Sequence, residues 1–157
     1  MDSPADSSQL AAGVRSRILP GLPFVRHYVD YGLVAWRPEG VLDDQLLDQA
    51  VDWLIDIERD TPPFKRFLDF SRLKEIALQT THIFEIARKR AEEFRGTEPV
   101  RAALFCDEWI GFGIARFYET LMERTLIQAK AFRDRADAAE WLQVPLAVVE
   151  MQDEPEN

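Results

Sequence analysis

The sequence of 157 residues contains one cysteine and two histidines. Because Cys106 has no second cysteine to pair with, an internal disulfide is excluded. The histidines, His27 and His82, fall in different segments, and the CxxC and HExxH spacings that supply zinc ligands are absent. We therefore expect neither a disulfide framework nor a bound metal.

Glycine-rich phosphate loops are also missing. The chain has seven glycines, and none of them forms a GxGxxG or GxxxxGKS/T pattern. Gly111 and Gly113 lie inside a helical pattern, where small residues allow close packing against a sheet. The sequence therefore predicts no cofactor.

Long hydrophobic runs are absent, since no apolar stretch approaches the roughly 20 residues that cross a bilayer. The first nine residues carry Asp2, Asp6 and serines, where a secretory signal would have a basic start and an apolar block. A single cysteine agrees with a reducing compartment. We expect a cytoplasmic protein without a membrane span.

Positive charge is in deficit, with 19 Lys and Arg against 28 Asp and Glu and a net charge of −9. Such a chain is repelled by phosphate backbones unless its basic residues are segregated, so we expect no nucleic-acid partner. The densest basic clusters are interpreted as solvated faces: Lys65-Arg66, Arg72 with Lys74, and Arg88-Lys89-Arg90.

The composition is that of one globular domain, with 46% hydrophobic and 30% charged residues. Residues 1–17 are small and polar without periodicity, which predicts a disordered tail. Residues 18–143 form the predicted domain, and residues 144–157 form a C-terminal extension with an acidic end. The apolar run at 146–149 fits an extra edge strand, a packing tail or a partner-binding segment, and the sequence does not choose among them.

Short apolar runs predict five strands. The first two, at 24–29 and 33–36, flank Asp30-Tyr31-Gly32, a turn in which glycine can take positive φ, so they form a hairpin. The other three runs are at 67–70, 100–105 and 126–132.

Longer stretches with apolar residues at three- and four-residue steps predict four helices. Asp43 is placed to cap the first, either Thr80 or Thr81 the second, and Asp134 the fourth, which covers 135–142. The third spans 109–124, with its core stripe at Ile110, Ile114, Phe117 and Leu121.

The element order is therefore β-β-α-β-α-β-α-β-α. Parallel strands joined by helices place those helices on the faces of the sheet. The sequence predicts an α/β fold with a mixed five-stranded sheet, in which an N-terminal β-hairpin is followed by βαβαβα, and with four helices.

Several strings in this order resemble the bacterial SpoIIAA-like proteins, whose domain is similar to STAS domains. They are Arg37-Pro38-Glu39-Gly40, Phe67-Leu68-Asp69-Phe70-Ser71, the segment at 112–119, Phe132-Arg133-Asp134, and the segment at 138–142. The resemblance covers about residues 22 to 143. It implies a SpoIIAA/STAS-like fold and a regulatory role that is exerted through protein contacts.

In STAS-type anti-sigma factor antagonists, a Ser or Thr at the start of the helix after the Asp-Leu-Ser-like strand is phosphorylated. The resemblance carries this position to Thr80 or Thr81, although the preceding loop at 72–79 is longer and the Asp-Ser-Ser-Gly pattern is missing. The alternative is that one of the threonines caps the helix.

One polar cluster is predicted at the carboxyl ends of the strands, where ligands usually meet open α/β sheets. It contains Asp69, Ser71, Cys106, Asp107 and the helix start with His82. A nucleophilic site would need His82 to activate Cys106, yet neither a glycine-rich elbow nor an oxyanion loop is visible. We therefore predict a protein without enzymatic activity.

A second candidate surface lies on the third helix, where Trp109 and Phe112 project away from the predicted core stripe, beside Arg116. Cover by the 144–151 segment, a homodimer contact and a groove for an apolar ligand would each explain such a surface. SpoIIAA-like domains are also similar in fold to CRAL-TRIO lipid carriers.

Two functions follow as expectations. The first is a non-enzymatic STAS/SpoIIAA-like regulatory or protein-interaction module, with a protein partner or a second copy of the chain bound at these surfaces. The alternative is binding or sensing of a small apolar, lipid-like ligand, with Trp36, Trp53, Trp109 and Phe112 as candidate lining groups.

Overall fold

The computed structural model describes residues 16–18, 21–60 and 64–151. Its strands are β1 (Ser16–Ile18), β2 (Val25–Tyr28), β3 (Leu33–Trp36), β4 (Gly40–Asp43), β5 (Lys65–Asp69), β6 (Leu73–Ala77), β7 (Val100–Phe105) and β8 (Ile127–Phe132). Its helices are α1 (Asp44–Asp60), α2 (Thr80–Glu93), α3 (Trp109–Leu121), α4 (Arg135–Leu142) and α5 (Leu146–Glu150).

The main sheet is mixed and has the order β1-β2-β3-β5-β7-β8. The pairs β1–β2 and β2–β3 are antiparallel, and the three pairs from β3 to β8 are parallel. Gly32 ends the turn between β2 and β3 in the left-handed region, with φ of 59°. The predicted α/β class and all five predicted strands are confirmed.

The edge strand β1 adds a sixth strand to this sheet. It begins at Ser16, two residues before the predicted start of the domain, and pairs with β2. Residues 1–15, which hold the rest of the predicted tail, lie outside the described residues, as do the prolines at 62 and 63 and the acidic end from residue 152.

A second, two-stranded sheet forms from β4 and β6, which run parallel. The prediction had β6 as part of a loop at 72–79, and this was wrong. The β6 strand lies half-exposed and pairs with a segment more than 30 positions earlier in the chain, so no local pattern announces it.

Helix starts follow the predicted caps in two of three cases. The Asp43 carboxylate accepts the Leu46 N–H at 2.8 Å, and Asp134 accepts the N–H groups of Ala136 and Asp137. Helix α2, however, has Gln79 in the N-cap position without a side-chain cap. The Gln79 N–H instead donates to Asp44 at 3.1 Å.

Two layers of helix cover the main sheet. On one face, cluster residues such as Val34, Trp36 and Leu104 pack against α1 and α3. On the other face, Leu33, Phe67 and their neighbours in the same strands pack against α4 and α5. Alternate residues of β3 thus point to different cores, as a strand buried on both faces requires.

The segment after residue 143 is a packing element of the second core. Helix α5 buries Val148 and Val149 completely, and Met151 follows at 2% exposure. Arg37, which follows β3, donates from its guanidinium to the carbonyls of Glu150 and Met151. Because this helix belongs to the face opposite α3, it does not cover Trp109.

Helix α3 is rotated from its predicted phase. Ile110, expected in the core, is 75% exposed, whereas Gly111, Ala115 and Met122 are buried. A Cβ built on Gly111 would lie only 3.5 Å from the Cys106 sulfur. The helix therefore approaches the sheet through its small residues. The predicted core stripe was wrong at Ile110, whereas Ile114, Phe117 and Leu121 are half-buried.

Candidate functional site

The carboxyl edge of the sheet carries a buried hydrogen-bonded group. Asp69 ends β5 and is fully buried, and its carboxylate accepts from Arg135 at 3.0 Å and from the Ser71 N–H at 2.9 Å. The same Arg135 guanidinium donates to the Ser71 hydroxyl and lies 4.3 Å above the ring of Phe105. Arg135, which sequence reasoning did not single out, thus holds Asp69 and Ser71 together.

Cys106 lies at the same edge but faces the core. Its side chain is 1% exposed and packs with Leu104, Ala115 and Ala131. Burial raises the pKa of the Cys106 thiol to about 12, and the charges of Asp107, Asp69 and Glu108 add to the effect. A thiol with this pKa is protonated at neutral pH and is a poor nucleophile.

Aromatic and basic side chains form an exposed surface next to this edge. Trp109 is 69% exposed, with the Arg133 guanidinium 3.6 Å above its ring and Phe112 at 6.1 Å in an edge-to-face arrangement. Arg133 also donates to the backbone carbonyl of Asp107 at 2.9 Å. Arg116 lies 6.0 Å from the Phe112 ring. The predicted surface residues Trp109, Phe112 and Arg116 therefore lie together, and Arg133 joins them.

His82, Thr80 and Thr81 lie elsewhere. His82 Nε2 is 2.7 Å from an oxygen of Asp48 on α1, and its Nδ1 is 3.5 Å from Glu85. Burial alone would lower the pKa of His82, but the hydrogen bond and charge of Asp48, with Asp44 and Glu85, raise it. Both threonines are exposed at the start of α2. His82 therefore engages α1, and Cys106 engages the sheet and α3.

An apolar cavity of about 120 Å³ lies between the main sheet and helices α1, α2 and α3. Apolar side chains from each of these elements line it, including Trp36, Trp53, Leu68, Ile83, Ile86 and Ala115. Trp36 and Trp53 were predicted as lining groups for an apolar ligand. Trp109 and Phe112 do not line this cavity.

Three charged side chains meet at one wall of the cavity. Arg66 of β5 and Arg90 of α2, both of which line it, contact the single carboxylate of Glu58 on α1. The exposed fractions of these side chains are 2% for Arg66, 3% for Arg90 and 5% for Glu58. We call this group the Arg66–Glu58–Arg90 cluster.

The Arg66–Glu58–Arg90 cluster corrects the interpretation of Lys65-Arg66 and Arg88-Lys89-Arg90 as solvated faces. Arg66 is the second residue of β5 and precedes the buried Phe67, and Arg90 continues the buried stripe of Ile83, Ile86 and Ala87 on α2. Arg90 lies three positions after Ala87 and therefore on the same face of the helix. This spacing was the one sequence signal that indicated its burial.

Among the described residues, no group of three or more His, Cys, Asp and Glu side chains is placed to hold a metal ion. A search of those same residues for a helix long and apolar enough to cross a membrane finds none.

Comparison with solved structures finds a likeness in fold. No family model matches the sequence, and no curated protein matches it. The chain is similar to a solved structure described as an uncharacterized protein from the DUF3478 family with a SpoIIAA-like fold, from Shewanella loihica PV-4. The identity is 18%, the match covers 83% of this chain and 92% of that one, and the TM-score is 0.47. The fold described for that structure has the same name as the family that the sequence resembles.

Proposed function

We propose that this protein binds a small apolar molecule in the cavity beneath α1, α2 and α3. The observation that carries the proposal is the cavity itself, about 120 Å³ of space lined by apolar side chains. Protein interiors normally pack to crystal-like density, so an unfilled space of this size is unusual.

The free energy of packing favours a ligand in the cavity. An unfilled apolar space costs stability, because the side chains that line it lose packing contacts. A hydrocarbon group of matching size recovers much of that free energy. In another protein, an apolar cavity of roughly 150 Å³ stays dry and binds benzene, which sets the scale of the ligand here.

The proposed activity is binding without chemistry. Cys106, the only thiol, has a pKa raised to about 12, and His82 is engaged with Asp48. The cavity lining offers mostly aliphatic and aromatic contacts. A carrier or a sensor of a small apolar molecule fits these properties.

Titration of the purified protein with toluene, followed by NMR, tests the proposal. We expect saturable shifts of the Ile83, Ile86 and Ala115 resonances. The variant Ala115→Leu fills the space from α3 and should abolish the shifts of Ile83 and Ile86. Thr120→Leu adds the same side chain on the exposed side of α3 and should leave them unchanged. Toluene shifts that survive in folded Ala115→Leu would contradict binding in this cavity.

A second candidate function is a regulatory protein contact through Trp109, Ile110 and Arg133. The favouring observation is that two large apolar side chains, 69% and 75% exposed, lie side by side at the start of α3. Exposed adjacent apolar groups of this size typically mark interaction surfaces. Sedimentation of wild type and Ile110→Asp tests this function: self-association that the variant leaves unchanged excludes this surface as the homodimer contact.

A further inference from the structure

Positive charge is in excess at the wall of the cavity. Glu58 accepts two hydrogen bonds of 2.9 Å from Arg90, so both of its oxygens are engaged by one guanidinium. Arg66 also contacts Glu58 and donates to the Phe64 carbonyl at 2.7 Å. Two guanidiniums thus share a single carboxylate.

Arg66 retains unused donor capacity. Its Nε is buried and has no hydrogen-bond partner within the part of the chain that the structure describes. Burial, together with the charge of Arg90, lowers the pKa of Arg66 to about 9. A buried cation without a full counter-charge is costly, and an anion that reaches it is strongly favoured.

From this imbalance we propose that the cavity takes a small monocarboxylate, whose carboxylate binds Arg66 while its apolar body fills the space between helices and sheet. This inference rests on the proposed function and names its ligand class. A guanidinium is suited to the task because its free Nε–H donates a charge-assisted hydrogen bond to one carboxylate oxygen.

The size of the cavity narrows the class further. A space of about 120 Å³ is close to that of the engineered cavity of roughly 150 Å³ that takes benzene. The ligand is therefore a small aromatic acid or a short aliphatic acid, and a long-chain fatty acid is too large. Benzoate and benzyl alcohol are matched probes, because they share a ring and differ in charge.

Calorimetric titration of the full chain with both probes at neutral pH tests the inference. We expect benzoate to bind at least about tenfold more tightly than benzyl alcohol, the size of one charge-assisted hydrogen bond. The variant Arg66→Met should lose this preference while it still binds benzyl alcohol. Lys89→Met, which removes a neighbouring cation from the exposed Lys89–Asp52 pair, should keep the preference.

A second variant, which should raise the affinity for benzoate, keeps the inference testable if Arg66→Met does not fold. Glu58→Gln removes the only carboxylate of the cluster, so the affinity for benzoate should rise several-fold. If Arg66→Met does not fold, the wild-type ratio and Glu58→Gln decide the question.

The outcomes separate the two proposals. Equal binding of both probes, or tighter binding of the alcohol, overturns the carboxylate preference and leaves the apolar-ligand function standing. A preference that persists in folded Arg66→Met also overturns it. If wild type binds neither probe, both proposals fail.

Discussion

Asp69 and Arg135 connect the main sheet to the helical layer on its second face. The carboxylate of Asp69 ends β5, and it accepts a 3.0 Å hydrogen bond from the guanidinium of Arg135 at the first residue of α4. Since Asp69 also accepts the Ser71 N–H, one side chain fixes the strand end, the following turn and the helix start.

We expect Asp69→Ala to lower the free energy of unfolding by about 3 kcal/mol, because it leaves a partly buried N–H and a partly buried guanidinium without their acceptor. Urea denaturation measures the change. The control is Asp56→Ala, which removes an exposed carboxylate paired with Arg59 and should cost at most about 0.5 kcal/mol. Similar losses for both variants would contradict a structural role for the Asp69 contact.

The pair of His82 and Asp48 predicts a pH dependence of stability. The pKa of His82 is raised in the folded protein, so its contribution is fully present below the unfolded pKa of about 6.5. That contribution is lost as the pH rises through the folded value. Wild type should therefore exceed His82→Gln in stability by the widest margin near pH 6, and the margin should shrink towards pH 8.

Asp48→Asn supplies the matched control for this prediction. It removes the main partner that raises the pKa of His82, while Asp44 and Glu85 remain. In the Asp48→Asn background, the additional effect of His82→Gln should depend much less on pH. A margin that stays constant over the whole range in wild type would show that His82 does not titrate in the way its surroundings imply.

The sequence was sufficient for the α/β class and for five strands of the main sheet because their signals are local. The strands are short apolar runs, and the caps Asp43 and Asp134 act on N–H groups two or three residues away. Such patterns depend on the backbone within a few residues. By contrast, β6 exists through its pairing with β4, and that pairing leaves no local trace.

The buried face of α3 and the burial of the two arginines depend on contacts between distant parts of the chain, so the sequence did not predict them. Apolar side chains occur almost all around α3, so hydrophobicity does not select its inner face, which the small Gly111 and Ala115 determine. Arg66 and Arg90 look solvated as isolated residues. Their shared contact with Glu58, from three different elements, offsets part of the cost of burying them. The sequence thus suggested Trp36 and Trp53 as lining groups, but it did not show the charged wall of the cavity.

Cys106 should be unreactive in the folded protein. Burial and the nearby carboxylates of Asp107, Asp69 and Glu108 raise its pKa to about 12, so the thiolate is scarce at about pH 8. A thiol reagent should label the protein in urea and leave it unmodified in buffer, as read by mass spectrometry. Rapid labelling under native conditions would mean that the edge between β7 and α3 opens, or that the thiol is exposed.

Gly111 and Gly113 should respond differently to alanine. A Cβ at Gly113 meets nothing within 4 Å, so Gly113→Ala should stabilise the helix by about 1 kcal/mol. At Gly111 the new methyl group would lie 3.2 Å from Ile76 Cδ1. That contact should offset part of the gain, so Gly111→Ala should be less stabilising in thermal unfolding. The reverse order would mean that Ile76 moves freely into the cavity.

Arg37 is expected to anchor the last helix. Its guanidinium donates to the carbonyl of Glu150 at 3.1 Å and to that of Met151, which helix α5 leaves without internal partners. Arg37→Met keeps much of the apolar stem and removes the donors, so it should cost about 2 to 4 kcal/mol. Arg37→Lys retains the charge but not the two parallel donors of the guanidinium. Its free energy of unfolding should therefore lie between those of wild type and Arg37→Met.

Hydrogen exchange locates the effect of these Arg37 variants. Because α5 packs its valines into the core shared with β3 and α4, loss of the anchor should speed exchange first at 146–151 and only later in the strands. The variants could instead lose stability in denaturation without faster exchange at 146–151. That result would mean that Arg37 stabilises the first part of the chain. The guanidinium would then stabilise its own loop after β3, and α5 would be held by the burial of Val148 and Val149 alone.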